Sequence, residues 1–152
     1  MADLVPHLWF DDDALDAVEF YTSLLPDSRI VNVANAPDEG GVLVVTFILQ
    51  GQPYAALNGG PRFPHTEAFS LALTCDDQEE TDRYWTALTA DGGSEHMCGW
   101  CRDRFGVHWQ VVPRRLHALL ADPDPGRARR AMEAMLTMRR IDVAALEAAA
   151  AG

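Results

Sequence analysis

The spacing of apolar positions changes period twice in the first twenty-five residues, and then does so again further along. "LVPHLWF" (4–10) is a short apolar-rich run with strand character. After the aspartates Asp12 and Asp13, apolar side chains recur at Ala14, Ala17, Val18, Tyr21, Leu24 and Leu25, the spacing of one helix face. Sixty-four residues later "AFSLALT" (68–74) is followed by Asp76-Asp77 and by Thr81, Tyr84, Trp85 and Leu88 at the same helical spacing. "DDALDAVEFYTSL" from Asp12 and "DDQEETDRYWTAL" from Asp76 share the paired aspartates, two adjacent aromatics, Thr, and Leu two residues on. This is an internal repeat, read here as strand, turn, helix in both copies. The aspartates are expected to cap the helix starts by accepting from orphan backbone N–H groups. "LPDS" (25–28) and "DGG" (91–93) stop the helices.

Strand-like runs follow each helix. After the first come "RIVNVAN", "GVLVVTFIL" and "PYAALN"; after the second come "SEHMC", "GWCRD" and "VHWQVVP". Each half then reads as strand–helix–strand–strand–strand, an α+β arrangement. One helix covers one face of each sheet, which leaves the other faces to enclose a cavity. Modules are expected at about 3–60 and 66–113, within a single domain spanning 1–152. A helical tail fills 114–152. Asp124-Pro125 opens one tail helix, with Ala128, Ala131, Met132, Met135 and Leu136 as an apolar stripe. "DVAALEAAAA" (142–151) has high helix propensity but few large apolar groups, so it needs a surface to pack on.

Composition narrows the partners. With 12 basic and 23 acidic residues the net charge is −11, which argues against nucleic acid or an anionic membrane. No apolar run reaches the ~20 residues of a membrane span, and the N-terminus has neither the basic nor the apolar region of a secretory signal. Three cysteines, Cys75, Cys98 and Cys101, cannot all pair within one chain, which fits a reducing cytoplasmic setting.

The duplicated module, with "HLWFDDDALDAVEFYTSLLPDSRI", "LNGGPRFPHTEAFSLALTCDDQEETDRYW", "CGWCRDRFGVHWQVVP" and "DPDPGRARRAMEAMLTMRRID" in this order, resembles the vicinal oxygen chelate superfamily. Within that glyoxalase-like fold it is most similar to the PhnB-like proteins. The resemblance implies two tandem βαβββ modules. PhnB-like proteins often carry the label 3-demethylubiquinone 3-methyltransferase. No Gly-rich strand-to-helix loop that would hold S-adenosylmethionine is visible here.

In metal-dependent members of the superfamily, ligands come from the first and fourth strands of each module. Carried over, those slots fall at Val5 or Pro6, at Phe69 or Ser70, and at Gln110. Only Gln110 is a donor of the usual type, so no metal or other cofactor is expected. His7, Glu67 and Gln110 form an alternative divalent-metal set, competing with the reading of His7 as a cavity-lining polar group and Glu67 as a loop carboxylate.

Cys98-Gly99-Trp100-Cys101 has the spacing of a redox or zinc motif. The residues after Cys101 do not read as a helix whose N-terminus would lower a thiol pKa. A zinc reading would recruit His96 and His108. The favoured reading is a hairpin, with two reduced cysteines flanking a turn.

The expected ligand-binding residues are His7, Trp9, Asn58, Glu67, Trp100, Trp109 and Gln110. His7 and Trp9 are placed on the cavity side because Leu8 and Phe10 suit the helix-packed side. Asn58 precedes two glycines that let a backbone approach closely. Aromatic walls with a few polar groups fit a small organic molecule. Catalysis is left open; a metal-dependent lyase, isomerase or dioxygenase with a rearranged site, and a methyltransferase, are the competing functions. A homodimer is expected, with the tail stripe as its surface.

Overall fold

A computed structural model of the chain describes residues 1–38 and 40–152. It divides into two units, Met1–His65 and Thr66–Gly152. In the first, β1 (His7–Phe10) leads into α1 (Ala14–Leu24), then β2 (Arg29–Asn35), β3 (Val42–Leu49) and β4 (Gln52–Asn58). The second repeats this with β5 (Leu71–Cys75), α2 (Gln78–Thr89), β6 (Ser94–Glu95), β7 (Trp100–Arg102) and β8 (His108–Pro113). The sheets have the same topology, β1-β4-β3-β2 and β5-β8-β7-β6. In each, the strand before the helix pairs parallel with the last strand of the module, and the other pairings are antiparallel. These are the two βαβββ modules that the repeat implied.

The repeat extends to the backbone. Asp27 and Asp91, 64 residues apart, both adopt left-handed φ (51° and 53°) just beyond their helices. Short polar side chains tolerate that conformation best after glycine, so "LPDS" and "DGG" stop the helices by the same geometry.

In the first unit Ala14, Ala17, Val18 and Tyr21 of α1 are buried, as are Leu8, Phe10, Val45, Phe47, Leu49 and Ala56 of the sheet. The β1 alternation therefore runs with Leu8 and Phe10 inward and His7 and Trp9 on the other face. In the second unit Thr81, Tyr84, Trp85 and Leu88 of α2 cover Leu73, Cys75, Cys101, Trp109 and Val111.

The helix caps differ between copies. Asp77 accepts from the Glu80 N–H (2.8 Å), and the Glu80 carboxylate accepts from the Asp76 N–H (2.7 Å), a reciprocal box. At α1 the expected aspartate cap is not made: the Asp13 side chain accepts no capping bond. The Asn58 Oδ1 accepts from the Ala14 N–H instead, at 2.9 Å.

The tail forms α3 (Arg114–Leu120), α4 (Pro125–Met135) and α5 (Val143–Ala151). Asp124 and Asp142 cap the last two with their side chains. Leu116, Leu119, Ala131, Ile141, Leu146 and Ala150 bury together with Val112 of β8. The alanine-rich segment thus packs within its own unit. The expected stripe splits: Ala131 and Met135 turn inward, while Met132 and Leu136 are exposed.

"SEHMC" is a strand only at Ser94–Glu95. Cys98 (φ 61°) and Gly99 (φ 79°) form a turn whose N–H groups donate to the carbonyls of Met138 (2.7 Å) and Arg139 (2.8 Å) in the tail. Cys98 is therefore part of the turn rather than a strand residue flanking it. The Gln78 side chain holds the same tail stretch, donating to the Ile141 carbonyl (3.0 Å) and accepting from the Val143 N–H (2.8 Å). Among the described residues no helix is long and apolar enough to cross a membrane.

Candidate functional site

Paired residues on neighbouring strands share a face, so the register assigns each candidate side chain to a side of its sheet. In the second unit the α2 side holds the pair Cys101–Trp109. The opposite, open side holds Trp100–Gln110, Arg102–His108 and Ala72–Gln110. Ser94 pairs with Arg102 and joins this open face.

Trp109 therefore leaves the set of expected cavity-wall residues. It is 1% exposed, and its indole N–H donates to Asp103 Oδ2 at 2.8 Å. Asp103 is itself buried and accepts from the Phe105 and Val107 N–H groups, so this carboxylate closes the β7–β8 turn. A buried tryptophan with its N–H satisfied is core. Asn58 belongs to the helix side of the first sheet. Its amide accepts from Ala14 and donates to the carbonyls of Asp12 (3.1 Å) and Val42 (3.0 Å), leaving it committed to holding α1.

His7 and Trp9 lie on the open side of the first sheet. His7 is exposed, with its Nδ1 3.0 Å from the Val5 carbonyl oxygen. Trp9 is half-buried, donates to the Gly60 carbonyl (2.8 Å) and meets Phe63 edge-on at 5.0 Å. The close approach allowed by "NGG" is made by Trp9: a Cβ on Gly59 would fall 2.2 Å from its ring.

The open face of the second sheet carries the densest chemistry. Trp100 is half-buried opposite Gln110, whose amide donates to Ser70 Oγ at 2.9 Å. Beside them the His96 and His108 rings meet edge-on at 5.8 Å, and His96 Nε2 lies 3.2 Å from Ser94 Oγ. Arg102 is exposed on the same face; His108 is buried. Glu67 is exposed in the turn before β5. Its own backbone N–H and then the positive fields of His108, His96 and Arg102 hold its carboxyl below the usual range.

Among the described residues no group of three or more His, Cys, Asp or Glu side chains is arranged to hold a metal. Gln110 stands at the fourth-strand slot with its amide already engaged by Ser70. These residues do not fit the metal centre that the superfamily resemblance implies. The cysteines are free thiols. Burial, then the charges of Asp103 and Glu95, push Cys101 up to about 12, and burial raises Cys75 as well, so neither is an activated nucleophile.

The family described as 3-demethylubiquinone-9 3-methyltransferase matches residues 2–112. No protein with a curated description matches the chain. Among solved structures, a putative 3-demethylubiquinone-9 3-methyltransferase, PhnB protein, from Bacillus cereus is 31% identical, with a TM-score of 0.67 over 74% of this chain and 99% of that one. A protein from Pseudomonas aeruginosa is 23% identical, with a TM-score of 0.60 over 74% and 98% of the two chains. The fosfomycin resistance protein FosX from Listeria monocytogenes, solved with Mn(II) and a dihydroxypropylphosphonic acid, is 13% identical, with a TM-score of 0.53 over 72% and 90%. The last two likenesses speak to fold alone.

Proposed function

The chain belongs to the 3-demethylubiquinone-9 3-methyltransferase family, the PhnB-like branch of the vicinal oxygen chelate superfamily, and from that premise we propose that it binds a small organic molecule on the open face of its second sheet without an inherited metal. One observation carries the reading. Trp100, half-buried, faces Gln110 across the β7–β8 ladder, with Arg102 and His108 as the next pair along. An aromatic platform beside convergent polar groups is the composition of a small-molecule site. Trp9 offers a second aromatic surface on the open side of the first sheet.

Methyl transfer, the activity named in the family description, has little support in the residues. Both strand-to-helix junctions are acidic, Asp11-Asp12-Asp13 and Asp76-Asp77, where a cofactor would need a glycine-rich approach. We place the protein in the cytoplasm, consistent with three free cysteines, and as a homodimer, for which the exposed Met132 and Leu136 of α4 offer an adaptable apolar surface.

Native mass spectrometry with metal analysis, on protein purified without chelator or affinity tag, tests the reading. The expected result is a dimer with no stoichiometric divalent metal, and with a small organic adduct that Trp100→Ala loses. One equivalent of metal, lost in the His7→Ala, Glu67→Ala double variant, would replace this reading with the metal-dependent one. Heat released on titrating S-adenosylmethionine, competed by a demethylated quinol, would restore methyl transfer.

A further inference from the structure

A cleft of about 530 Å³ lies within the second unit. Its walls include Trp85 and Thr86 of α2, Glu95 of β6, and Arg139, Arg140 and Asp142 from the stretch that joins α4 to α5. Glu95 pairs with Cys101 on the α2 side of the sheet, so the cleft is separate from the open face of Trp100 and Gln110. Its volume is that of a small-molecule site, but charged side chains dominate its walls, which suits a polar occupant.

The backbone under the two arginines is fixed. The Met138 and Arg139 carbonyls accept from the Cys98 and Gly99 N–H groups at 2.7 and 2.8 Å, and Gln78 bonds to Ile141 and Val143. The guanidinium groups above it are not fixed. Among the described residues neither makes a hydrogen bond, and each has one long ion pair: Arg139 with Glu95 at 3.7 Å, Arg140 with Asp82 at 3.3 Å. Both side chains are about half exposed or more, and such pairs contribute little to stability. The acids are half committed. Glu95 Oε1 accepts the Trp85 indole N–H (2.8 Å) and Asp142 Oδ1 accepts the Ala145 N–H (2.9 Å). The second oxygen of each makes no hydrogen bond among the described residues.

Arg139 and Arg140 balance Glu95 and Asp142. A simple anion drawn to the arginines would meet both carboxylates, in a chain of net charge −11, and a simple cation would meet both arginines. We propose that this cleft is a second ligand site, for a small zwitterion of the amino-acid or short-peptide class. The ligand carboxylate accepts from Arg139 and Arg140, and its ammonium donates to the open oxygens of Glu95 and Asp142. The long Arg139–Glu95 pair is exchanged for two shorter pairs through the ligand, so no charge is left unmatched. The fixed backbone limits what must be ordered on binding.

Heteronuclear NMR of the full chain tests this by following the Trp85 indole N–H, which reports on Glu95, as alanyl-alanine, its N-acetyl derivative and its C-terminal amide are added. The dipeptide is expected to shift that signal saturably, and each singly charged analogue to bind at least about tenfold more weakly, the scale of one charge-assisted contact. Arg139→Gln should weaken the dipeptide by about tenfold. Glu95→Gln should abolish the preference for the dipeptide over its N-acetyl derivative. Arg129→Gln, which removes an exposed charge on α4 outside the cleft, should change nothing. If the N-acetyl derivative binds wild type as well as the dipeptide does, the cleft is an anion site and the proposal is wrong. If Arg129→Gln weakens binding as much as Arg139→Gln, the effect is net charge and the proposal fails. It fails equally if none of the three probes moves the Trp85 signal, and in each case the proposed open-face site is untouched.

Discussion

Asn58 caps a helix that begins 44 residues before it: its Oδ1 takes the N–H of Ala14 at 2.9 Å while its amide nitrogen holds the carbonyls of Asp12 and Val42. One side chain thereby joins the start of α1 to the edges of two strands. Asn58→Ala should destabilise the protein by about 2–3 kcal/mol, a lost cap plus unsatisfied backbone groups. Chemical denaturation would measure it. A loss below half a kcal/mol would mean that water replaces the amide without cost.

Asp13 is the residue that Asn58 displaces from capping. Burial, followed by the neighbouring charges of Asp12, Asp16 and Asp11, raises its carboxyl above the ordinary value of 3.8 despite a lowering backbone hydrogen bond. A raised folded-state value means that the native state binds the proton more tightly, so ionisation of Asp13 erodes stability as pH rises through the folded value. Asp13→Asn should therefore raise the melting temperature at pH 7, and the gain should vanish below about pH 3.8, where both states are protonated. An equal gain at both extremes would point to a cause other than charge.

Gly99 has no room for a side chain. A Cβ there would lie 2.8 Å from the Val111 carbonyl oxygen and 3.1 Å from Ile141 Cγ1, at a φ of 79°. Gly106 also has positive φ (91°), but its Cβ would meet nothing within 4 Å. Gly99→Ala should cost at least 1 kcal/mol more than Gly106→Ala, with strain alone worth about 1–3 kcal/mol at either site. Equal losses in urea melts would show that the turn gives way.

Gln78 holds the tail by mimicking a strand partner to Ile141 and Val143. Gln78→Ala should loosen this stretch locally. Hydrogen exchange at Val143 and along α5 should accelerate about tenfold or more, while β3 and β4 keep their protection. Uniform acceleration throughout would indicate global destabilisation.

Thiol chemistry should separate the three cysteines. Cys101, pushed up to about 12, and Cys75, raised by burial, are both buried, whereas Cys98 is partly accessible in its turn. At pH 8 Cys101 therefore stays in the thiol form. An aromatic disulfide reagent should label one group in native protein and three in denaturant. A second fast group, or a disulfide, would overturn that order.

The sequence made the duplicated module and its buried helix faces legible because these depend on local period: Thr81, Tyr84, Trp85 and Leu88 are all buried in α2. The proposed binding face was less legible because it depends on register. Trp109 and Gln110 are adjacent in a run with no polar alternation, and only the pairing with Cys101 and Trp100 sends them to opposite sides. The Asn58 cap was hidden for a similar reason. Two aspartates stood in the usual place, and the long-range amide that replaces them leaves no local mark.

The bonds from Cys98 and Gly99 to Met138 and Arg139 also set an order of events during synthesis. The first module has every strand it needs once Asn58 has left the ribosome. When the second module's hairpin is completed at Pro113 its two amides point outward, and their partners Met138 and Arg139 are still about twenty-five residues from being made. At about 5–20 residues per second, that wait lasts about 1–5 s. Throughout it Trp100, one residue from those open amides, stands on a hairpin without its tail-side anchor, so the proposed binding face is among the last surfaces of the nascent chain to acquire its mature shape.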